Sequence, residues 1–316
     1  MSTLFRRICA ITIPMIAISA TLAAQDTPHS ARLELTHGKP YVMVTVNGKG
    51  PFRFVIDTGT GAEAFVTGEL ADQLGLPAAG QVHLSDPSGQ GRQKVPIVQI
   101  QSLQVAGVEF TGVRAIRHAL NGTDGSCQGL LGFSLFRNYL LTLDYPRRRI
   151  TLTSGALVPD GEQSVLPFRM PDGIPIVPMH IGTMQIEAQI DSGGTGLSLP
   201  ERIASQLKFA SDPTLFGNAE SLSTRFQVKA AKLASDVHLG SYTFTQPFVE
   251  INPAFPLANF GSGAMQSFTF TFDQKTALVR FESSRPTLRL SATPTALRPD
   301  NAPDLKLPDL SLVPVG

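Results

Sequence analysis

The chain has 316 residues, with 26 lysines and arginines against 25 acidic residues, a net charge of +1 and 42% hydrophobic content. This length and apolar fraction suffice for two lobes of ordinary domain size around a large core. The near-balanced charge argues against electrostatic capture of nucleic acid or of an anionic membrane surface.

In chain order, Arg6 and Arg7 precede an apolar run from about Ile8 to Ala20 and small residues ending near Ala24. Residues 1–24 therefore read as a secretory signal peptide, too short to span a bilayer. The expectation is an exported protein, periplasmic or secreted, with no membrane span in the mature chain. Cys9 falls in the signal, which leaves Cys127 alone and precludes an intramolecular disulfide. Cys127 reads as a small apolar filler rather than a nucleophile.

Residues 32–155 form the first expected lobe. YVMVTVNGKGPFRFVID reads as two strands joined by a glycine-containing turn and ending at Asp57. Thr67 is placed to cap a short helix in GELADQLGL. SDPSGQG reads as a hairpin tip, containing Ser85, Asp86, Pro87, Ser88 and Gly89. LLTLDYPRRRITL is a hairpin whose turn opens at Asp144. Residues 156–171 are a crossing linker rich in proline and glycine, and 172–284 form the second expected lobe. There IPIVPMHIGTMQIEAQID again gives two strands, ending at Asp191, Pro200 starts a short helix, and Asp273 opens the last hairpin turn. Residues 285–316 are a proline-rich tail that lacks either secondary-structure period, mobile or draped over a lobe.

The two aspartates carry the chemistry. FVIDTGTG and AQIDSGGTG each lead out of an apolar strand, where an unpaired charge is strongly disfavoured. Two such carboxylates brought together cannot both ionise comfortably, so the pair shares one proton and offers an acid beside a base. Gly59 and Gly193 permit a tight turn, while Thr58, Thr60 and Ser192 supply hydroxyls to hold the carboxylates. A single Asp-hydroxyl-Gly triplet is also ordinary turn composition. The order of blocks makes coincidence the weaker reading: LADQLGL is repeated as IASQLKF, and the strand pairs before each aspartate and the closing hairpins recur in the same sequence.

With these motifs, and with GLLGFSLFRNYLLTLDYPRRRITL, the chain from about Leu33 to Glu282 resembles the pepsin-like and retropepsin-like aspartic proteases. The resemblance implies an all-β, bilobal pepsin-like fold of two duplicated lobes with short helices and a cleft between them. It implies Asp57 and Asp191 as a dyad holding a water, a candidate flap at Ser85, Asp86, Pro87, Ser88 and Gly89, and a peptide or protein substrate. It also implies a monomer that needs no metal or cofactor and forms no covalent intermediate. The dyad itself is a standard example of coupled carboxylates.

The chain departs from the family pattern at three places. Gly194 stands where pepsin-like enzymes carry a hydroxyl, although retroviral-type relatives carry alanine there. The expected flap stretch has no tyrosine, and NFGSGAMQ matches the family's apolar-apolar-glycine element poorly. These departures motivate the alternative of a catalytically weak or inactive relative that binds peptides or a partner. Other chemistries find little support: the histidines form no HExxH pair, and no GxSxG elbow or phosphate loop is present.

Overall fold

The structure, a computed structural model, describes residues 28–85, 92–120, 125–220, 225–285, 287–288, 305–306 and 311–313. The expected signal peptide lies outside them, as do Asp86, Pro87, Ser88 and Gly89 of the candidate flap. The described chain is mostly β-sheet with few and short helices, in agreement with the all-β class.

One nine-stranded sheet is built largely from the first half of the chain. From Lys39–Val46 its order runs through Lys49–Asp57, Gly129–Gly132, Ala64–Val66, Val108–Arg117 and Gln93–Val105 to Ala78–Ser85. Successive pairings along this run are antiparallel, parallel, antiparallel, parallel, antiparallel and antiparallel. Parallel neighbours are buried on both faces, which explains the unbroken apolar stretches Phe54–Ile56 and Leu130–Leu131.

An eleven-stranded sheet comes from the second half. Its run is Ile176–Ile181, Met184–Asp191, Ala258–Gly261, Leu197–Pro200, Phe248–Asn252, Arg225–Lys232 and Thr214–Glu220. The pairings follow the same succession of orientations.

A six-stranded sheet joins the two halves. The hairpins anticipated around Asp144 and Asp273 meet through Leu140–Asp144 and Thr269–Asp273, with Thr142 opposite Thr271 and their hydroxyls 3.0 Å apart. Asp144 and Asp273 serve their turns as expected: Asp144 Oδ1 accepts from Arg147 N at 2.9 Å, and Asp273 Oδ1 from Lys275 N at 3.0 Å. Above this sheet the main core runs continuously between the halves. Phe268, Phe270 and Phe281 are fully buried there, with Phe270 and Phe281 ring centroids 5.1 Å apart. Each such side chain contributes about 1.5–3 kcal/mol of burial.

Thr67 caps the helix Gly68–Leu74, its Oγ1 accepting from Leu70 N at 3.2 Å. The counterpart helix, Glu201–Ala204, is a single turn, and Pro200 stands at its N-cap rather than within its first turn. Among the described residues the tail carries three short strands that lacked any sequence signal, the first of them Thr287–Leu288 beside Tyr242–Phe244. Leu305–Lys306 pairs with the edge strand Thr214–Glu220, and Ser311–Val313 with Ala78–Ser85.

Candidate functional site

Asp57 and Asp191 are the last residues of strands Lys49–Asp57 and Met184–Asp191. Their strands deliver them to one place with the carboxylates within hydrogen-bonding reach of each other. Asp57 is 1% exposed and Asp191 fully buried. The turns behind them orient the carboxylates as the sequence suggested. Gly59 N donates to Asp57 Oδ1 at 2.9 Å, and Thr60 Oγ1 to Asp57 Oδ2 at 3.3 Å. Gly193 N and Gly194 N donate to Asp191 Oδ1 at 2.8 and 2.9 Å.

Each turn also lies against the opposite carboxylate. A Cβ added to Gly59 would fall 2.5 Å from Asp191 Cγ, and one added to Gly193 would fall 2.5 Å from Asp57 Cγ. Glycine is required at both positions because any side chain would drive the two acids apart.

Thr58 and Ser192 lock the turns together reciprocally. Thr58 Oγ1 donates to Ile190 O at 2.7 Å and accepts from Ser192 N at 3.0 Å. Ser192 Oγ donates to Ile56 O at 2.8 Å and accepts from Thr58 N at 3.0 Å. Four buried backbone groups at the junction are thereby satisfied by two hydroxyls, so neither hydroxyl is dispensable.

Burial, reinforced by the negative charge of Asp191, pushes the Asp57 carboxyl well above the ordinary carboxylate range. The buried cation Lys39 opposes this shift. A carboxyl kept protonated beside a hydrogen-bonded carboxylate can donate a proton while its neighbour accepts one.

A cavity opens beside the pair, with Gly59, Asp172, Ile174, Gln189, Phe255 and Asn259 among its lining residues. Two of these, Gln189 and Asn259, reach Asp191 itself. Asn259 Nδ2 donates to Asp191 Oδ2 at 2.6 Å, and Gln189 Nε2 to the same oxygen at 3.4 Å. Sequence reasoning missed both. The available signal was NFG at Asn259, read only as a poor match to an apolar-apolar-glycine element. Asp172, at the edge of the expected linker, is likewise part of the cavity wall.

Of the candidate flap, Ser85 is described; it is buried at the end of strand Ala78–Ser85. Cys127 is buried with its thiol donating to Gly129 O at 3.0 Å, the packing role anticipated for it. Among the described residues no cluster of three or more His, Cys, Asp or Glu side chains could hold a metal ion. No helix among them is long and apolar enough to cross a membrane.

Glu250, also missed, accepts from Thr195 Oγ1 through both carboxylate oxygens, at 3.2 and 3.0 Å. Burial pushes its carboxyl up to about 7 from an ordinary 4.5, against the opposing effect of the Thr195 hydrogen bond. Between these values the folded state holds a proton that the unfolded state has lost, so stability falls as pH rises from 4.5 to about 7. For a half-buried group the expected loss is roughly 1–3 kcal/mol. Urea denaturation at pH 5 and pH 7.5 should show this loss in the wild type, and Glu250→Gln should largely remove it.

Two buried carboxylates, paired on crosswise-packed Asp-hydroxyl-Gly turns, define a site suited to acid/base hydrolysis. The family model described as aspartyl protease matches residues 42–135 of the chain. The matched span includes Asp57 and ends before Asp191. No curated protein matches the chain.

Proposed function

We propose that this protein is an aspartic endopeptidase in which Asp57 and Asp191 act on one bound water. The observation that carries the proposal is the reach between the two carboxylates, each held by its own turn and packed against the other's. One carboxylate takes a proton from water as the water oxygen attacks the scissile carbonyl carbon. The protonated partner gives its proton to the carbonyl oxygen, and the resulting diol collapses as a proton passes to the leaving nitrogen and the C–N bond breaks. The substrate is an extended peptide, its backbone alongside the hairpin arms Ala78–Ser85 and Gln93–Val105, with the candidate flap between them.

The same reading extends to architecture. We take 32–155 and 172–284 as duplicated lobes, linked by 156–171. The identical succession of strand orientations in the two large sheets supports this. So does the meeting of corresponding residues, Thr58 with Ser192 and Thr142 with Thr271, as expected near a twofold axis. One chain supplies both aspartates, which fits a monomer, and the signal-like N-terminus fits export to the periplasm or beyond. The alternative, a weak or inactive peptide-binding relative, is favoured by Gly194, which offers Asp191 no hydroxyl.

The pH–rate profile tests the protease reading. Asp57 must hold its proton for turnover, and its carboxyl is held above the usual range, so cleavage should persist above about pH 4 and fall on the alkaline side as that proton is lost. Lys39→Met, which removes the opposing cation, should move that alkaline limb upward. Absence of cleavage at every pH by folded protein would contradict the proposal.

A further inference from the structure

Gly194 leaves the second turn without the hydroxyl that Thr60 provides to the first. The neighbouring strands differ in a compensating way. Lys49–Asp57 pairs in parallel with Gly129–Gly132, setting Val55 opposite Leu130. Met184–Asp191 pairs in parallel with Ala258–Gly261, setting Gln189 opposite Asn259. Two apolar residues behind Asp57 are thus replaced by two amides behind Asp191. The stronger contact is that of Asn259, at 2.6 Å from Asp191 Oδ2, compared with 3.3 Å from the Thr60 hydroxyl to Asp57 Oδ2.

Space at position 194 is consistent with an exchange of roles. A Cβ there would fall 2.7 Å from Asp191 Oδ2 and 3.0 Å from both terminal atoms of Asn259. The amide occupies the volume that a side chain at 194 would need. Asn259 Nδ2 is the end of the amide placed toward the carboxylate, which accepts from it. Asn259 Oδ1 is then left buried without a hydrogen-bond partner among the described residues.

We propose that Asn259 is the positioning residue for Asp191, replacing the hydroxyl absent at Gly194 and making Asp191 the base of the pair and Asp57 the acid. The inference rests on the dyad reading above. Asp191 accepts from two backbone N–H groups and two amides, whereas Asp57 accepts from one backbone N–H and one hydroxyl. Charge-assisted hydrogen bonds favour the anion that receives more of them. Lys39 favours the ionised form of Asp57, but burial and the neighbouring acid outweigh it, and with the fewer donors Asp57 is the member of the pair to which we assign the shared proton.

The test compares the full chain with Asn259→Leu, which copies Leu130, with Gly194→Thr, which copies Thr60, and with the double variant. Asn259→Leu should lower kcat about 10- to 100-fold with KM changed less than about threefold, and should move the acidic limb of the profile upward. Gly194→Thr alone should also lose activity, because its Cβ meets the carboxylate and the amide. The double variant restores a hydroxyl donor but keeps the close approach of the 194 Cβ to Asp191, so it should recover part of the loss, about two- to tenfold over Asn259→Leu, a coupling expected only if the two positions serve one carboxylate.

Carbon-13 NMR of the aspartate carboxyls provides a readout independent of turnover: the lower titration step of the pair should rise in Asn259→Leu and return toward the wild-type position in the double variant. An Asn259→Leu protein with wild-type kcat and an unmoved lower step overturns the inference. So does a loss of activity that the double variant does not repair while the titration stays fixed, because that marks a merely structural role. If the wild type cleaves nothing but the titration shifts as described, the protease reading fails and the positioning role stands.

Discussion

Replacing either Asp57 or Asp191 with asparagine should lower peptide cleavage by roughly 10³- to 10⁴-fold, the loss expected when an essential acid or base is removed. Asparagine keeps the volume and part of the hydrogen bonding of each turn, so the folded state should survive. The Asp57 variant should in fact be more stable than the wild type at neutral pH. The folded-state carboxyl of Asp57 is raised by burial and by Asp191, so the folded protein retains a proton that the unfolded chain has released. Wild-type stability is therefore progressively lost as pH rises above the ordinary value of 3.8 and through the raised one. Asp57→Asn removes this dependence. Thermal unfolding should show a higher midpoint for the variant at pH 7 and little difference near pH 3. A variant that loses activity and also unfolds at lower temperature at pH 7 would mean that Asp57 serves the fold rather than a strained site.

The second large effect belongs to the junction beneath the acids. Thr58→Val keeps the shape of the side chain and removes its hydroxyl. Ile190 O then loses its donor and Ser192 N its acceptor, both in buried positions. Each buried group left unpaired costs about 1–3 kcal/mol, so a loss of roughly 2–5 kcal/mol is expected. In a chain of this size the thermal midpoint should fall by on the order of 5–15 °C. Thr58→Ser should recover most of the stability because the hydroxyl remains. Equal stability of the valine and serine variants would show that packing, not the reciprocal hydrogen bonds, holds the two turns together.

What could be read from the sequence was local or repeated. The Asp-hydroxyl-Gly turns, the closing hairpins and the Thr67 cap each depend on residues within a few positions of one another, and their chemistry is legible in a short window. Asp144 and Asp273 could be set aside as turn formers for the same reason. The pairing of Asp57 with Asp191 was reachable because the blocks around them recur in order.

What escaped was set by pairing across long separations. Asn259 reaches Asp191 from 68 positions away, through a parallel register that no local pattern encodes. Glu250 finds Thr195 across 55 positions by the same kind of crossing. No local pattern singles out Lys39; only the folded arrangement buries it where its charge acts on Asp57. The poor fit of NFG to an apolar element was visible in the sequence, but its meaning depended on the empty position at Gly194. Two departures that each looked like decay become, in the folded chain, one substitution spread over two sites. The short tail strands, Thr287–Leu288, Leu305–Lys306 and Ser311–Val313, had no period to announce them because each is only two or three residues long.

The most direct test of the central claim is digestion of a peptide library by the full chain from pH 3 to pH 8, with and without a statine-type inhibitor that mimics the tetrahedral diol. The account predicts cleavage at internal peptide bonds that the inhibitor suppresses, because its hydroxyl takes the place of the water between Asp57 and Asp191. Folded protein that binds peptides but cleaves none at any pH, or cleavage indifferent to the inhibitor, would contradict it.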